Sequence, residues 1–361
     1  MFLEFLYPLK KILTAFNVFQ YITFRGAYAA LTTLLFCFLF GQSVIKKLVA
    51  MKCKQTIRAD GPATHLAKGG TPTMGGAMII LAVVISMLLW QNFHNARVWV
   101  TIIAFLMFAF IGFIDDYLKI KGRNADGLSP RGKLILQFLF AAIITGYLFA
   151  TGGEDVTLLY LPFFKNPVVD LGYLWIPFAI LLIVGESNAV NLTDGLDGLA
   201  SGLLIFVFIA LAILTYLSGR QDYSSYLGIP YIPGAGELTV FCLAAVGACV
   251  GFLWFNFYPA EVFMGDIGSL SLGGVIAVIS LLIKKEILIL VAGGVFALEA
   301  ASVIIQVVFY KWKKKRVFKM APLHHHFEQG ENRLPETKIV IRFWILGGLF
   351  AIIALSTLKI Q

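Results

Sequence analysis

The sequence is poor in charged residues and in cysteine. Only 14% of its 361 residues are charged, whereas 59% are hydrophobic, and this balance excludes an ordinary soluble domain. The four cysteines have no closely spaced pair, which argues against a disulfide framework and against a zinc site. Internal repeats and low-complexity stretches are also absent from the sequence. We therefore expect a single membrane domain over residues 1–361.

Long apolar runs recur along the whole chain. A helix needs about 20 apolar residues to cross roughly 30 Å of hydrocarbon, and the sequence offers that length repeatedly. We predict an all-α polytopic membrane protein with about ten transmembrane helices. The predicted spans are residues 24–46, 75–91, 98–114, 134–151, 171–185, 198–218, 238–257, 267–283, 287–310 and 339–358.

The basic residues are unevenly distributed between the two sides of this topology. With ten spans, the loops after spans one, three, five, seven and nine share one side, and they hold most of the 29 lysines and arginines. Positively charged loops stay in the cytoplasm, so this distribution predicts that both termini are periplasmic. Basic loops beside anionic membrane lipids explain the net charge of +9, and no nucleic-acid partner is expected.

Aspartates gather at the predicted cytoplasmic boundary. Asp115 and Asp116 end the third span, where carboxylates need a partner such as a cation unless the helix end is solvated. Residues 188–198 follow the fifth span and are dense in oxygen ligands and glycine, and we predict that they form a loop. Asp266 opens the eighth span, where capping of the helix is the alternative role.

Two further clusters on the same side carry basic groups. Residues 68–76 combine a lysine with glycine amides that suit phosphate, although they do not match the Walker pattern. Residues 322–328 contain three adjacent histidines, which are poor tetrahedral zinc ligands, so we favour phosphate contact over zinc. The cytoplasmic side was assigned from lysine and arginine alone, yet all five polar clusters fall on it. This agreement favours one composite site. Such a site suits Mg²⁺-assisted phosphoryl transfer.

Acidic residues at membrane depth leave a second class of function open. Glu186 ends the fifth span and Glu299 lies within the ninth, and such acids are functional candidates by default. For Glu299 we favour a structural role in which neighbouring helices satisfy the carboxylate. An ion-coupled transporter is the alternative from another class, although transporters usually place their site near the midplane and often have repeat symmetry.

The chain resembles, almost end to end, the phospho-N-acetylmuramoyl-pentapeptide transferase family of the polyprenyl-phosphate N-acetylhexosamine-1-phosphate transferase superfamily. The resemblance rests on residues 68–76, Asp115-Asp116, 191–198, 263–266 and 322–327. The aspartate motifs are shared across the superfamily, whereas the triple histidine is the more specific mark. A sister transferase that uses UDP-N-acetylglucosamine is the nearest alternative.

The resemblance implies a reaction and a location. Phospho-N-acetylmuramoyl-pentapeptide would pass from UDP-N-acetylmuramoyl-pentapeptide to undecaprenyl phosphate, giving lipid I and UMP in the first membrane step of peptidoglycan synthesis. The enzyme would require Mg²⁺ and lie in the bacterial inner membrane with its active site facing the cytoplasm. A homodimer remains open. We favour direct attack by the lipid phosphate, already largely anionic at neutral pH, over a covalent aspartyl-phosphate, which also remains open.

The resemblance also implies roles for individual residues. Asp266 would hold the metal, and Asp115 and Asp116 would serve the lipid phosphate and catalysis. The ninth span, residues 287–310, would be bent and would line a groove for the prenyl chain. The residues implied in substrate binding are Lys68, Thr73, Lys119, Lys133, Asn188, Asn191, Asp194, Asp197, Asn256, Phe263, His324, His325 and His326.

Overall fold

The protein is built from helices, with one short β-hairpin on the described part of the chain. The computed structural model describes residues 1–51, 53, 70–122, 127–329 and 333–359. The hairpin pairs β1 (Leu158–Leu159) with β2 (Val169–Asp170) in antiparallel register. The helices are α1 (Phe2–Phe5), α2 (Ile22–Ala50), α3 (Gly76–Trp90), α4 (Ala96–Gly122), α5 (Pro130–Thr151), α6 (Trp175–Thr193), α7 (Leu199–Ser218), α8 (Gln221–Leu227), α9 (Leu238–Asn256), α10 (Gly265–Leu282), α11 (Glu286–Ala292), α12 (Gly294–Lys313), α13 (Leu323–Glu328) and α14 (Glu336–Ser356).

The membrane-spanning architecture predicted from the apolar runs is confirmed. In the described ranges, nine helices are long and apolar enough to cross a membrane, and α3 is a shorter apolar helix of 15 residues. The ninth predicted span is divided at Gly293 into α11 and α12, and the predicted bend and groove stay predictions. The placement of the termini in the periplasm stays a prediction.

Two helices, α4 and α6, extend eight residues beyond their predicted ends, and both extensions carry polar residues. The helix α4 continues to Gly122 and therefore includes Asp115 and Asp116 within regular structure. The helix α6 continues to Thr193, so the predicted loop over residues 188–198 is wrong for its first six residues. A helix satisfies its own backbone hydrogen bonds, and polar side chains at the membrane surface do not end it. The apolar run therefore marks the span and not the helix end.

The helix α10 lies at the centre of the bundle. Its residues from Asp266 to Leu281 are all buried, and it packs against α3, α4 and α6. Backbones approach closely there: a Cβ added to Gly112 of α4 would lie 2.2 Å from the carbonyl oxygen of Asp266. Only glycine permits this separation. The first turn of α10 is thereby fixed against the C-terminal part of α4.

A buried ion pair lies where the N-terminal end of α2, the C-terminal end of α3 and the N-terminal end of α9 meet. The Arg25 guanidinium is 1% exposed and donates two hydrogen bonds of 2.8 Å to the carboxylate of Glu237. It also donates to the carbonyl oxygen of Trp90 at 3.3 Å, and the Gln91 amide donates to the carbonyl oxygen of Glu237. Bidentate geometry of this kind is the strong form of the arginine–carboxylate contact.

We expect Arg25→Met to lower the free energy of unfolding by about 3–5 kcal/mol, because it leaves the Glu237 carboxylate without its main partner. The measurement is the thermal midpoint of the detergent-solubilised protein. The matched control is Arg220→Gln, which removes an exposed arginine paired with Asp222 and should leave the midpoint almost unchanged. Equal midpoints for Arg25→Met and the unmodified protein would show that the Arg25–Glu237 ion pair does not stabilise the fold.

Candidate active site

Three helices bring charged side chains together at one end of the bundle. Asp115, Asp116 and Lys119 lie on the last turns of α4. Lys133 lies on the first turn of α5, and Asp266 lies on the first turn of α10. Residues three and four apart on a helix share a face, so Lys119 can reach both aspartates of its own helix.

The three aspartates form one compact cluster. An oxygen atom from each of Asp115, Asp116 and Asp266 lies within 4.8 Å of the other two. The three residues are only 3%, 2% and 8% exposed. Like charges this close repel one another strongly at low dielectric. The cluster is therefore stable only with cations or protons beside it.

Two lysines supply that positive charge. The Lys119 ammonium lies 2.5 Å from Asp115 Oδ2 and 2.9 Å from Asp266 Oδ2, and the Lys133 ammonium lies 2.8 Å from the same Asp266 oxygen. The second oxygen of Asp266 accepts a 2.6 Å hydrogen bond from Asn191 Nδ2. The structure thus unites six of the residues predicted from sequence, since Asp116 belongs to the same cluster.

This donor set fits a divalent metal ion. All three acidic groups offer oxygen, the donor type that Mg²⁺ prefers, and their separation allows them to ligate one ion together. Three carboxylates outweigh the two ammonium groups, so the cluster keeps an excess of negative charge. Backbone amides orient two of the carboxylates. Asp115 Oδ1 accepts a hydrogen bond from the amide of Leu128 at 2.8 Å, and Asp116 Oδ2 accepts one from the amide of Ile267 at 3.2 Å.

The segment before α3 pairs with the segment before α10. The amide of Phe263 donates to the carbonyl oxygen of Pro72 at 2.9 Å. In return, the amide of Gly75 donates to the carbonyl oxygen of Phe263 at 2.8 Å. A Cβ on Gly265, which has φ +71°, would lie 2.6 Å from Asp116 Oδ2 and 2.9 Å from Thr73 Oγ1. Thr73 therefore adjoins the aspartate cluster, whereas Lys68 lies outside the described residues.

A polar turn over residues 194–198 connects α6 to α7 beside the cluster. Burial, reinforced by the charge of Asp266, raises the pKa of Asp194 to about 7, so this carboxyl is partly protonated at neutral pH. Asp197 Oδ2 accepts from the amide of Ala260 at 3.0 Å. These contacts fix the turn on both sides.

Asn256 supports that turn from α9. Its Oδ1 accepts from the amide of Gly198 at 3.2 Å and from the Ser201 hydroxyl at 3.0 Å, while its Nδ2 donates to the carbonyl oxygen of Val262 at 2.9 Å. The side chain is 3% exposed. The structure thus places Asn256, predicted as a substrate-binding residue, among backbone contacts.

The three histidines have three different environments. His324 is fully buried, and its backbone amide donates to Glu299 Oε1 at 3.2 Å. His325 Nδ1 lies 2.6 Å from Glu328 Oε2, and His326 Nδ1 accepts from the amide of Lys319 at 3.1 Å. His325 and His326 are partly exposed, so they are the two that a ligand can reach directly.

Comparison with known proteins assigns this arrangement to a family. The model of glycosyl transferase family 4 matches residues 98–284. Relatives from Citrifermentans bemidjiense and Thermodesulfovibrio yellowstonii are 51% and 50% identical over all of both chains. A relative from Borrelia hermsii is 51% identical over 97% of this chain and 99% of its own. All three are named phospho-N-acetylmuramoyl-pentapeptide-transferase.

The chain belongs to the phospho-N-acetylmuramoyl-pentapeptide transferase family. The predicted resemblance is confirmed, and the matched family range contains the three aspartates, both site lysines and the polar turn. The histidine segment lies beyond that range, but the full-length relatives cover it.

Several residues that hydrogen-bond to the predicted site residues of this transferase family member were not predicted from the sequence. Ser269 accepts from Asn191 Nδ2 at 2.9 Å, and Glu336 Oε1 accepts from the amide of Asp197 at 2.8 Å. Gln137 exchanges hydrogen bonds with the amide group of Asn188, at 2.8 and 3.5 Å. Ser269 follows Asp266 by three residues, and this helical spacing was a usable signal. The contacts of Glu336 and Gln137 depend on tertiary packing alone.

Proposed function

We propose that this protein transfers phospho-N-acetylmuramoyl-pentapeptide from UDP-N-acetylmuramoyl-pentapeptide to undecaprenyl phosphate, producing lipid I and UMP. The observation that carries the proposal is the cluster of three aspartates and two lysines at one end of the membrane helices. Relatives that share half of the sequence over its full length carry the name of this reaction. The proposed location is the bacterial inner membrane, with the cluster facing the cytoplasm.

The position of the cluster suits a reaction between a soluble and a lipid-linked substrate. Asp115 and Asp116 lie four turns or more along an apolar helix of 27 residues, near its charged end. A lipid phosphate at the membrane surface and a nucleotide from the cytosol can therefore meet at the same depth. A site near the midplane would not admit the soluble donor as readily.

We propose that Asp266 holds the Mg²⁺ ion, with Asp115 and Asp116 within reach of it. When bound, the ion would offset the charge of the phosphate groups. Lys119 and Lys133 already contact the same carboxylates, and their ammonium groups can shift to phosphate oxygens when substrates arrive. They would hold the two anionic reactants together and stabilise the charge that develops on the transferred group.

The remaining site residues would orient the donor. Asn191 is held by Asp266 and Ser269, and the turn over residues 194–198 lies immediately beyond it. His325 and His326 on α13 are partly exposed. Together these groups would bind the nucleotide and the sugar, leaving the lipid phosphate beside Asp115 and Asp116.

We favour direct attack by the lipid phosphate oxygen on the donor diphosphate, with UMP as leaving group. The Lys119 ammonium lies 2.5 Å from Asp115 Oδ2, and a carboxylate engaged by a cation is a weak nucleophile. Pure enzyme given UMP and UDP-sugar without lipid phosphate should therefore show no isotope exchange between them. Robust exchange would establish a covalent aspartyl intermediate instead.

The reaction itself is tested with the purified protein in detergent. Radiolabelled UDP-N-acetylmuramoyl-pentapeptide and undecaprenyl phosphate should yield a lipid product of the mass of lipid I together with UMP. The parallel reaction with UDP-N-acetylglucosamine should give no lipid product. Turnover of that second donor in place of the first would overturn the proposed substrate, and turnover of neither by folded protein would overturn the proposed function.

A further inference from the structure

A second buried carboxylate pairs with a histidine away from the aspartate cluster. Glu299 on α12 and His324 on α13 are both 0% exposed. Glu299 Oε1 accepts a hydrogen bond from the backbone amide of His324 at 3.2 Å, and Glu299 Oε2 lies 3.3 Å from the ring nitrogen Nδ1 of the same residue. One carboxylate therefore accepts a hydrogen bond from the backbone of His324 and lies against its ring.

The opposite edge of the His324 ring lies against the polar turn. A Cβ added to Gly195 would lie 2.4 Å from Nε2 and 3.0 Å from Cε1 of this ring. The ring thus occupies the space that any other side chain at position 195 would need. Gly195 stands between Asp194 and Asp197, two residues implied in donor binding, so a displaced ring would displace the turn.

Glu299 Oε2 and His324 Nδ1 lie 3.3 Å apart, and within the described residues neither atom has a hydrogen-bond partner. A carboxylate oxygen beside Nδ1 favours the proton on that nitrogen, as in other histidine–carboxylate pairs. Nε2 is then left as the nitrogen that faces Gly195. Within the described residues it has no hydrogen-bond partner, which is compatible with close packing against a glycine backbone.

We propose that Glu299 is a positioning residue for the nucleotide-sugar donor. It holds the His324 ring in one orientation, and the ring holds the turn over residues 194–198 in its binding conformation. Glu299 itself touches neither the aspartate cluster nor the turn in the contacts described above. The proposal rests on the proposed function, since it assigns the turn to the donor.

The test measures donor binding and lipid-substrate kinetics separately in Glu299→Gln. Glutamine keeps the size of the side chain but presents an amide group to Nδ1, which favours the other tautomer of the ring. We expect the Kd for UDP-N-acetylmuramoyl-pentapeptide to rise about tenfold, because contacting residues in one network are energetically coupled. The KM for undecaprenyl phosphate should change less than about twofold, since the aspartate cluster is untouched.

A double-mutant cycle tests whether Glu299 acts through His324. In a His324→Ala background, Glu299→Gln should change the donor Kd less than about twofold, because the ring that it orients is gone. Equilibrium binding does not depend on turnover, so an inactive His324→Ala protein remains informative. Gly195→Ala places a methyl group against the same ring. It should raise the donor Kd and leave the KM for undecaprenyl phosphate nearly unchanged.

The matched control is Glu286→Gln, which changes another fully buried carboxylate at the first residue of α11. It should leave the donor Kd within about twofold of the unmodified protein. A folded Glu299→Gln protein with unchanged donor Kd would overturn the proposal, as would an equal loss with and without the His324 ring. Absence of lipid I synthesis by the unmodified protein would instead count against the proposed function.

Discussion

Asp266→Asn is expected to reduce turnover by about 10³-fold or more while leaving the protein folded. Asp266 is the residue on which the site converges: Lys119, Lys133 and Asn191 all contact its carboxylate. An amide removes the negative charge that holds both lysines and that would hold Mg²⁺. Loss of a single preorganised electrostatic group costs about 10²–10³-fold in other enzymes, and this residue would supply more than one such interaction.

The measurement is initial-rate formation of lipid product over a titration of Mg²⁺, with monodispersity and thermal midpoint recorded on the same preparation. The control is Asp222→Asn, an exposed aspartate paired with Arg220, which should retain full activity. Near-normal activity of Asp266→Asn at saturating Mg²⁺ would remove Asp266 from the metal role.

Gly112→Ala is expected to reduce kcat by about 10²-fold although no functional group is altered. The added methyl would meet the carbonyl oxygen of Asp266 at 2.2 Å and the Cα of Ile267 at 2.5 Å. These are backbone atoms, so α4 and α10 must separate. The three carboxylates lie on these two helices, and a displacement near 1 Å is enough to lose a factor of this size.

The matched control for Gly112→Ala is Gly146→Ala on α5. A Cβ at Gly146 has open space around it, and alanine favours a helix more than glycine does. That variant should retain activity and should be as stable as the unmodified protein. Unchanged kcat for Gly112→Ala would show that the register of α4 against α10 does not limit the chemistry.

Much of the fold was predictable because the membrane imposes a length and an apolar composition on each span. The predicted run over residues 198–218 became α7, Leu199–Ser218, and the run over residues 238–257 became α9, Leu238–Asn256. The charge distribution then grouped Asp115, Asp116 and Asp266 on one side before any contact was known. The order of the spans and the predicted side of each loop were sufficient for this grouping.

The internal arrangement of the site was not predictable in the same way. Asn191 was assigned to a loop, but it lies on α6 and its contact with Asp266 depends on the position of α6 against α10. His324 and Asn256 appear in the sequence as polar groups of the same kind as His325, yet both are buried. Such differences arise from packing between distant segments, which a single sequence does not encode in any local pattern.

The burial of α10 has a consequence for local unfolding. In the apolar window of α10, 83% of the residues are buried, whereas the corresponding value is 28% for α2, α5 and α12. Segments with few buried contacts open first, and the most enclosed segment opens only with the whole fold. Heat or harsh detergent should therefore fray the outer helices before it disturbs the helix that carries Asp266. The residue at the centre of the proposed chemistry lies on the part of the molecule that unfolds last.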